Sequence, residues 1–211
     1  MIDILIADDH AIVREGLKQI VAEEKNMRVA GEASDSIELF DLLRKRKWSV
    51  IILDINMPGE NGLESLKKIK IEFPDLPVLI VSIYGEDQYG LRAIKAGAAG
   101  YLKKVSAPEE FVNAINKIVN GGKYISPALA EKLAYNFEAS HTSKPHEALS
   151  DREYQIMCQI AGGKSADDIA NELCISIHTV YSYRNRIFEK MDMKSNVELT
   201  QYVVQNKLIE M

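Results

Sequence analysis

Residues 51–63, Ile-Ile-Leu-Asp-Ile-Asn-Met-Pro-Gly-Glu-Asn-Gly-Leu, run from consecutive apolar positions into an acid, Asp54, and then into a turn built on Pro58, Gly59 and Gly62. Consecutive rather than alternating apolar residues suit a strand covered on both faces, and such strands belong to parallel sheets. A carboxylate that ends a strand of this kind stands at the edge of the sheet as a helix cap, a metal ligand or a nucleophile. The rest of the chain decides among these.

Outward from this stretch, short apolar runs alternate with amphipathic ones. "IDILIA", "RVAGEA", "VIILD", "VLIVS" and "GYLKK" read as five strands, and "AIVREGLKQIVAEE", "SIELFDLLRKR", "LESLKKIKIEF", "DQYGLRAIKAG" and "PEEFVNAINKIVN" as the intervening helices. Strict alternation predicts a doubly wound five-stranded parallel sheet over residues 1–120, with helices on both faces. Ile12, Leu17, Ile20 and Val21 recur near helical spacing, as do Phe111, Ala114, Ile115 and Ile118; Pro108 suits a first helical turn, and Gly121-Gly122 ends the last helix. Ligands of such sheets bind beyond the carboxyl ends of the strands.

Residues 121–148 read as a linker with a short helix. Its "EASHTSKPHEA" lacks periodicity, so His141 and His146 read as solvated linker residues. From 149 to 211 no strand pattern occurs, and four helical segments, about 151–161, 166–173, 177–190 and 196–206, predict a small all-α bundle. Ser165 and Ser176 stand at good N-cap positions, and the short "CIS" between the second and third helices is the connection of a helix-turn-helix. On the third helix, Val180, Ile187 and Met191 form the inward stripe. Tyr181, Ser182, Asn185 and Arg186 then face outward, with Arg184 at the margin.

Bulk properties exclude several classes. The 211 residues are 46% hydrophobic and 27% charged, a soluble globular composition, with no long apolar run and no basic leader, so a cytoplasmic protein without a membrane segment is expected. Cys158 and Cys174 lack metal-site spacing and read as small core residues. The net charge of −5 leaves nucleic-acid contact to a local patch: residues 178–194 hold four basic and two acidic side chains, while residues 149–211 hold seven basic and nine acidic ones.

The predicted topology brings the strand ends together. Strand one ends in Asp8-Asp9, strand three in Asp54, strand four in Ser82, and strand five runs into Lys103-Lys104. Clustered carboxylates repel unless a cation offsets them, and Mg²⁺ with oxygen ligands is the natural one. A hydroxyl and an ammonium beside it suit phosphate oxygens. The set describes a place where Asp54 takes a phosphoryl group as an acyl phosphate. Taken singly, Asp8 or Asp9 could equally cap the next helix, and His10 reads as an ordinary loop or helix-start residue.

These residues, with "LDINMPGENGL" and "AGAAGYLKK", resemble the receiver domain of two-component response regulators, a flavodoxin-like fold. The resemblance implies that Asp54 accepts phosphate from a sensor histidine kinase. It also implies that Asp9 binds Mg²⁺ directly, Asp8 through water, Asn56 through its backbone and Asp54 as a ligand too. Ser82 and Lys104 would grip the phosphoryl group, and Tyr101 would turn inward as Ser82 moves. Lys104, not Lys103, fits the family spacing, 22 residues after Ser82 and three after Tyr101. Residues 149–204 resemble the LuxR-type, or NarL/FixJ-type, DNA-binding domain through Leu149, Arg152-Glu153, Gly163, Ile169-Ala170, Leu173, Ser176, Thr179-Val180, Ile187 and Lys190. This implies contact with double-stranded DNA by Thr179, Tyr181, Ser182, Arg184, Asn185, Arg186 and Lys190, and homodimerisation on activation through the last helix. The pattern usually has Lys and His where this chain has Tyr181 and Tyr183.

The expected function is a phosphorylation-controlled transcription regulator whose chemistry is limited to accepting, and slowly losing, one phosphoryl group. An aspartyl-phosphate hydrolase would need a second acid two residues after the nucleophile, where Asn56 stands. An adaptor whose bundle binds protein rather than DNA is the alternative reading.

Overall fold

The structure is a computed structural model describing residues 1–58, 60–138 and 144–209. It divides into two compact units, Met1–Ala130 and Glu131–Met211.

The first unit holds β1 (Ile2–Ala7), α1 (Ala11–Ala22), β2 (Met27–Ala33), α2 (Ser36–Lys45), β3 (Val50–Leu53), α3 (Gly62–Glu72), β4 (Val78–Ser82), α4 (Glu86–Lys95), β5 (Gly100–Lys103) and α5 (Pro108–Val119). The strands form one parallel sheet in the order β2-β1-β3-β4-β5. The order reverses between β1 and β3, which opens a crevice at their carboxyl ends. Alternate strand residues, Ile4, Ile6, Val50, Ile52, Leu79, Val81 and Leu102, form one core with Phe111, Ala114, Ile115 and Ile118 of α5 and with Leu17, Ile20 and Val21 of α1. Leu5, Ile51, Leu53 and Ile80 are equally buried, as strands covered on both faces require. Ile12, read as part of the α1 stripe, is instead exposed, because the first turn of α1 lies beside the strand ends.

Residues 121–130 complete this unit. Gly121 adopts φ +83 and turns the chain back after α5. Tyr124 then bridges Gly100 in parallel on the outer edge of β5, its N–H donating to Ala99 O at 2.8 Å and its hydroxyl to Glu110 at 3.0 Å. Helix α6 (Pro127–Glu138) starts there. Ser126 Oγ donates to Glu86 Oε1 at 2.6 Å, and Leu129, 1% exposed, lies so close to Gly90 that a Cβ there would come within 2.9 Å of a Leu129 methyl.

The second unit contains a 3-10 turn (Pro145–Ala148), α7 (Asp151–Ala161), α8 (Ala166–Glu172), α9 (Ile177–Met191) and α10 (Asn196–Gln205). Ser150, Ser165, Ser176 and Ser195 each cap the helix that follows by accepting an N–H bond, and Ser150–Glu153 and Ser165–Asp168 complete capping boxes. Tyr154, Ile156, Met157, Ile169, Leu173, Val180, Ile187, Leu199 and Val203 are buried. Arg152 donates to Leu173 O at 3.2 Å and so ties α7 to the turn between α8 and α9.

Two sequence readings need correction here. Cys158 is buried, but Cys174 is exposed, in the turn after α8 where it takes φ +52. His146 is not a solvated linker side chain: Pro145 starts a 3-10 turn, and His146 Nδ1 sits 2.8 Å from the Tyr202 hydroxyl. His141 lies outside the described residues. Among the described residues no helix is long and apolar enough to cross a membrane.

Candidate functional site

The crevice between β1 and β3 gathers the acids that follow their ends. Asp54 N–H donates to Ala7 O at 2.9 Å, and Asp8 N–H to Ala33 O at 3.1 Å, so both carboxylates are held by sheet-like bonds one residue past the strands. Both are buried, at 2% and 3% exposure. Lys104 N–H donates to Ser82 O at 2.8 Å, which continues the β4–β5 pairing by one residue. The Lys104 ammonium reaches Asp54 Oδ2 at 2.8 Å and Asp8 Oδ2 at 2.6 Å. One cation thus bridges two buried acids.

Neither acid caps α1. Its N-cap is His10, whose side chain makes no capping bond. Asp8 Oδ1 accepts the His10 N–H at 2.9 Å, and the His10 ring lies 2.6 Å from Asp9 Oδ1 and 3.3 Å from Asp8 Oδ1. His10 therefore belongs to the cluster; its position next to the acidic pair was the signal in the sequence. Gly62 is needed behind Asp54: its N–H donates to Ile55 O at 2.8 Å, and a Cβ at 62 would collide with the Asp54 carbonyl. Asn61 caps α3 through Leu63 N–H at 2.8 Å.

Charge in this crevice is finely set. Burial pushes the Asp54 carboxyl up to about 6, with Lys104 pulling it down and Asp8 pushing the same way as burial. Burial alone would lower the Lys104 ammonium, but the charge of Asp54 and the bonds to both acids carry it above the ordinary lysine value. Asp54 Oδ1 is buried without a hydrogen-bond partner among the described residues. Ligand atoms of Asp8, Asp9, His10 and Asp54 lie within 4.8 Å of one another. An orphaned carboxylate oxygen in a cluster of three carboxylates and one imidazole fits a divalent cation held mainly by oxygen ligands.

Around it stand the remaining predicted residues. Ser82 is fully buried at the end of β4, and its hydroxyl accepts the Tyr84 N–H at 3.3 Å. Asn56 Nδ2 donates to the Tyr84 hydroxyl at 3.2 Å. Tyr101, expected to turn inward, is buried, with its hydroxyl on Tyr84 O at 2.9 Å; burial raises its phenol. Tyr84, which sequence reasoning missed, links Asn56, Ser82 and Tyr101. Nothing in its local sequence marks it.

On α9, Val180, Ile187 and Met191 are buried, while Tyr181, Ser182, Asn185 and Arg186 are exposed and Arg184 is half-buried. His178, Thr179, Ser182, Tyr183 and Arg186 line a shallow concavity. Thr179 Oγ1 lies 2.7 Å from Ser176 Oγ in the cap, and Ser182 Oγ donates to His178 O at 2.9 Å. Lys190 does not project freely: its ammonium donates to Glu153 Oε2 at 2.7 Å.

An acid-lined crevice at the switch point of a five-stranded parallel sheet, followed by a serine-capped helix-turn-helix bundle, defines a receiver joined to a helix-turn-helix output module. Residues 4–116 match the response regulator receiver domain, and residues 147–203 match the bacterial regulatory proteins of the luxR family. The chain belongs to the response regulators that carry a LuxR-family domain. It is 38% identical to response regulator GacA of Pseudomonas aeruginosa, across 100% of this chain and 99% of that one. Identity to response regulator UvrY of Escherichia coli is 36%, over 99% and 96%. Among solved structures, it is similar to RcsB of Salmonella enterica serovar Typhimurium bound to promoter P1flhDC in the presence of phosphomimetic BeF3⁻, at 26% identity, TM-score 0.60, and 96% and 97% coverage. A two-component response regulator of the LuxR family from Aurantimonas is 32% identical, with TM-score 0.59, over 64% of this chain and 97% of that one.

Proposed function

We propose that residues 1–120 form a phosphoacceptor receiver, with residues 121–130 packed onto it, and that residues 131–148 form a linker. Residues 149–211 form a module that binds double-stranded DNA to regulate transcription from the cytoplasm. A sensor histidine kinase or a small acyl-phosphate donor supplies the phosphoryl group. An oxygen of Asp54 attacks the phosphorus, the bond from phosphorus to its donor breaks, and an acyl phosphate remains on Asp54. The observation that carries this reading is the orphaned, buried Asp54 Oδ1 beside an ammonium already drawn into the crevice.

Asp8, Asp9, Asp54 and the Asn56 backbone would hold Mg²⁺, which neutralises the charge of the incoming phosphoryl oxygens. Lys104 and Ser82 supply the donors for those oxygens. Once the phosphoryl group is held, Lys104 and Ser82 reorganise around it, and Tyr84 and Tyr101, bonded to one another, move with Ser82. This shifts the population toward a form that dimerises and binds DNA. The promoter-bound RcsB structure supports the DNA step. With Asn56 in place of a second acid, no side chain at that position returns a proton to a leaving group, so turnover is limited to slow self-dephosphorylation.

Asp54→Asn should abolish Mg²⁺-dependent, acid-labile labelling by a phosphodonor. Full labelling of that variant would refute the assignment.

A further inference from the structure

We propose that Arg184 reads a base in the DNA major groove, a guanine through its N7 and O6 edge, and that Tyr181 and Phe188 are its positioning residues. This rests on the DNA-binding reading above and specifies which side chain of α9 supplies sequence preference.

The neighbours of each candidate on α9 narrow the choice. The hydroxyls of Thr179 and Ser182 are engaged within the helix and its cap, and Lys190 is engaged by Glu153. Tyr181, Arg184, Asn185 and Arg186 remain. Residues 181, 184 and 188 share one stripe of the helix. The Arg184 guanidinium carbon stands 5.0 Å from the centre of the Tyr181 ring and 5.8 Å from that of Phe188, so rings one turn to either side bracket it. Its Nε is buried and has no acceptor among the described residues, which leaves the Nη groups as the donors it can offer. Arg186 is differently placed: it is exposed and meets one ring, Tyr183, at 5.8 Å.

A guanidinium fixed between two rings cannot follow a mobile phosphate, but it is already ordered for a planar two-bond contact. Such a contact distinguishes guanine from the other bases in the major groove. Arg186, freer and more exposed, suits a phosphate. Tyr181 acts through its ring, so its hydroxyl is dispensable.

The test uses the full chain, treated with a small acyl-phosphate donor and Mg²⁺, and duplexes recovered from a random-sequence pool. Tyr181→Phe keeps the ring and should rescue the motif that Tyr181→Ala loses. Arg184→Lys keeps the charge but loses the fork; it and Tyr181→Ala should each relax preference at one G·C pair, with a loss of roughly 5- to 150-fold on the best duplex. The salt slope should stay near that of the unmodified chain. A drop in slope by about one on Arg184→Ala, with uniform weakening on all duplexes, would mean a phosphate contact and overturn the proposal. An unchanged motif and affinity for Tyr181→Ala would overturn it as well. If the unmodified chain enriches no duplex, the DNA reading itself fails and this inference falls with it. Tyr181 is exposed, so its variants should melt with the parent chain; Arg184 is half-buried, so its variants are compared with the parent at equal folded fraction, set by their melting curves.

Discussion

At the scale of single residues, the crevice is a balance of two buried acids against one ammonium. Lys104→Met leaves Asp8 and Asp54 facing each other without a counter-charge. The variant should lose roughly 3–5 kcal/mol of stability in chelator, and Mg²⁺ should restore part of the loss in a thermal melt. Glu153 gives the pH dependence. Burial alone would raise its carboxyl, but the bonds from Lys190 and Ser150 outweigh burial and hold it below the ordinary value of 4.5. A carboxyl lowered by folding stabilises above its unfolded pKa, and that stability is lost as pH falls through the folded value. The melting temperature of the parent chain should therefore exceed that of Glu153→Gln near neutral pH, and the gap should close in acid below 4.5. A gap independent of pH would rule out this role. Asp8, Asp9, Asp54, Ser82 and Lys104 were readable from the sequence because each follows or ends a strand, and parallel topology puts all such ends at one edge. Tyr84 was not, because two of its three partners, Asn56 and Tyr101, come from elements that only the fold brings beside it.

Elements show where sequence patterns suffice and where they do not. The buried strands announce themselves by unbroken apolar runs, and the helices of the second unit by serine caps. Ser150→Ala should cost about 1 kcal/mol by removing a capping box. The segment after α5 carries no such pattern, since Tyr124 pairs by backbone alone and Leu129 fills a notch made by the absent side chain of Gly90. Leu129→Ala should lower stability by roughly 2–5 kcal/mol. A fragment of residues 1–130 should melt above one of residues 1–120, as monitored by circular dichroism; equal melting would mean that the segment contributes nothing. Lys190 is a further case: its place on the recognition helix suggested DNA, whereas α7 supplies Glu153 as its partner.

At the scale of the whole molecule, the chain carries a net charge of −5, yet residues 178–194 hold twice as many basic as acidic side chains. Affinity for DNA should accordingly fall steeply with salt, and a binding curve insensitive to salt would favour a protein partner. The two-part organisation was legible because strand patterns cease after the fifth helix. The finer division was not, since residues 121–130 fall within the expected linker with a short helix, 121–148, but pack as part of the first unit. Backbone bridging, a serine-to-glutamate bond and a leucine in a glycine notch make this segment an inseparable hem of the sheet's open edge. Anyone exchanging output modules between such regulators should carry the hem along: a chimera spliced at residue 120 would strip β5 of its border and leave the notch at Gly90 open to solvent.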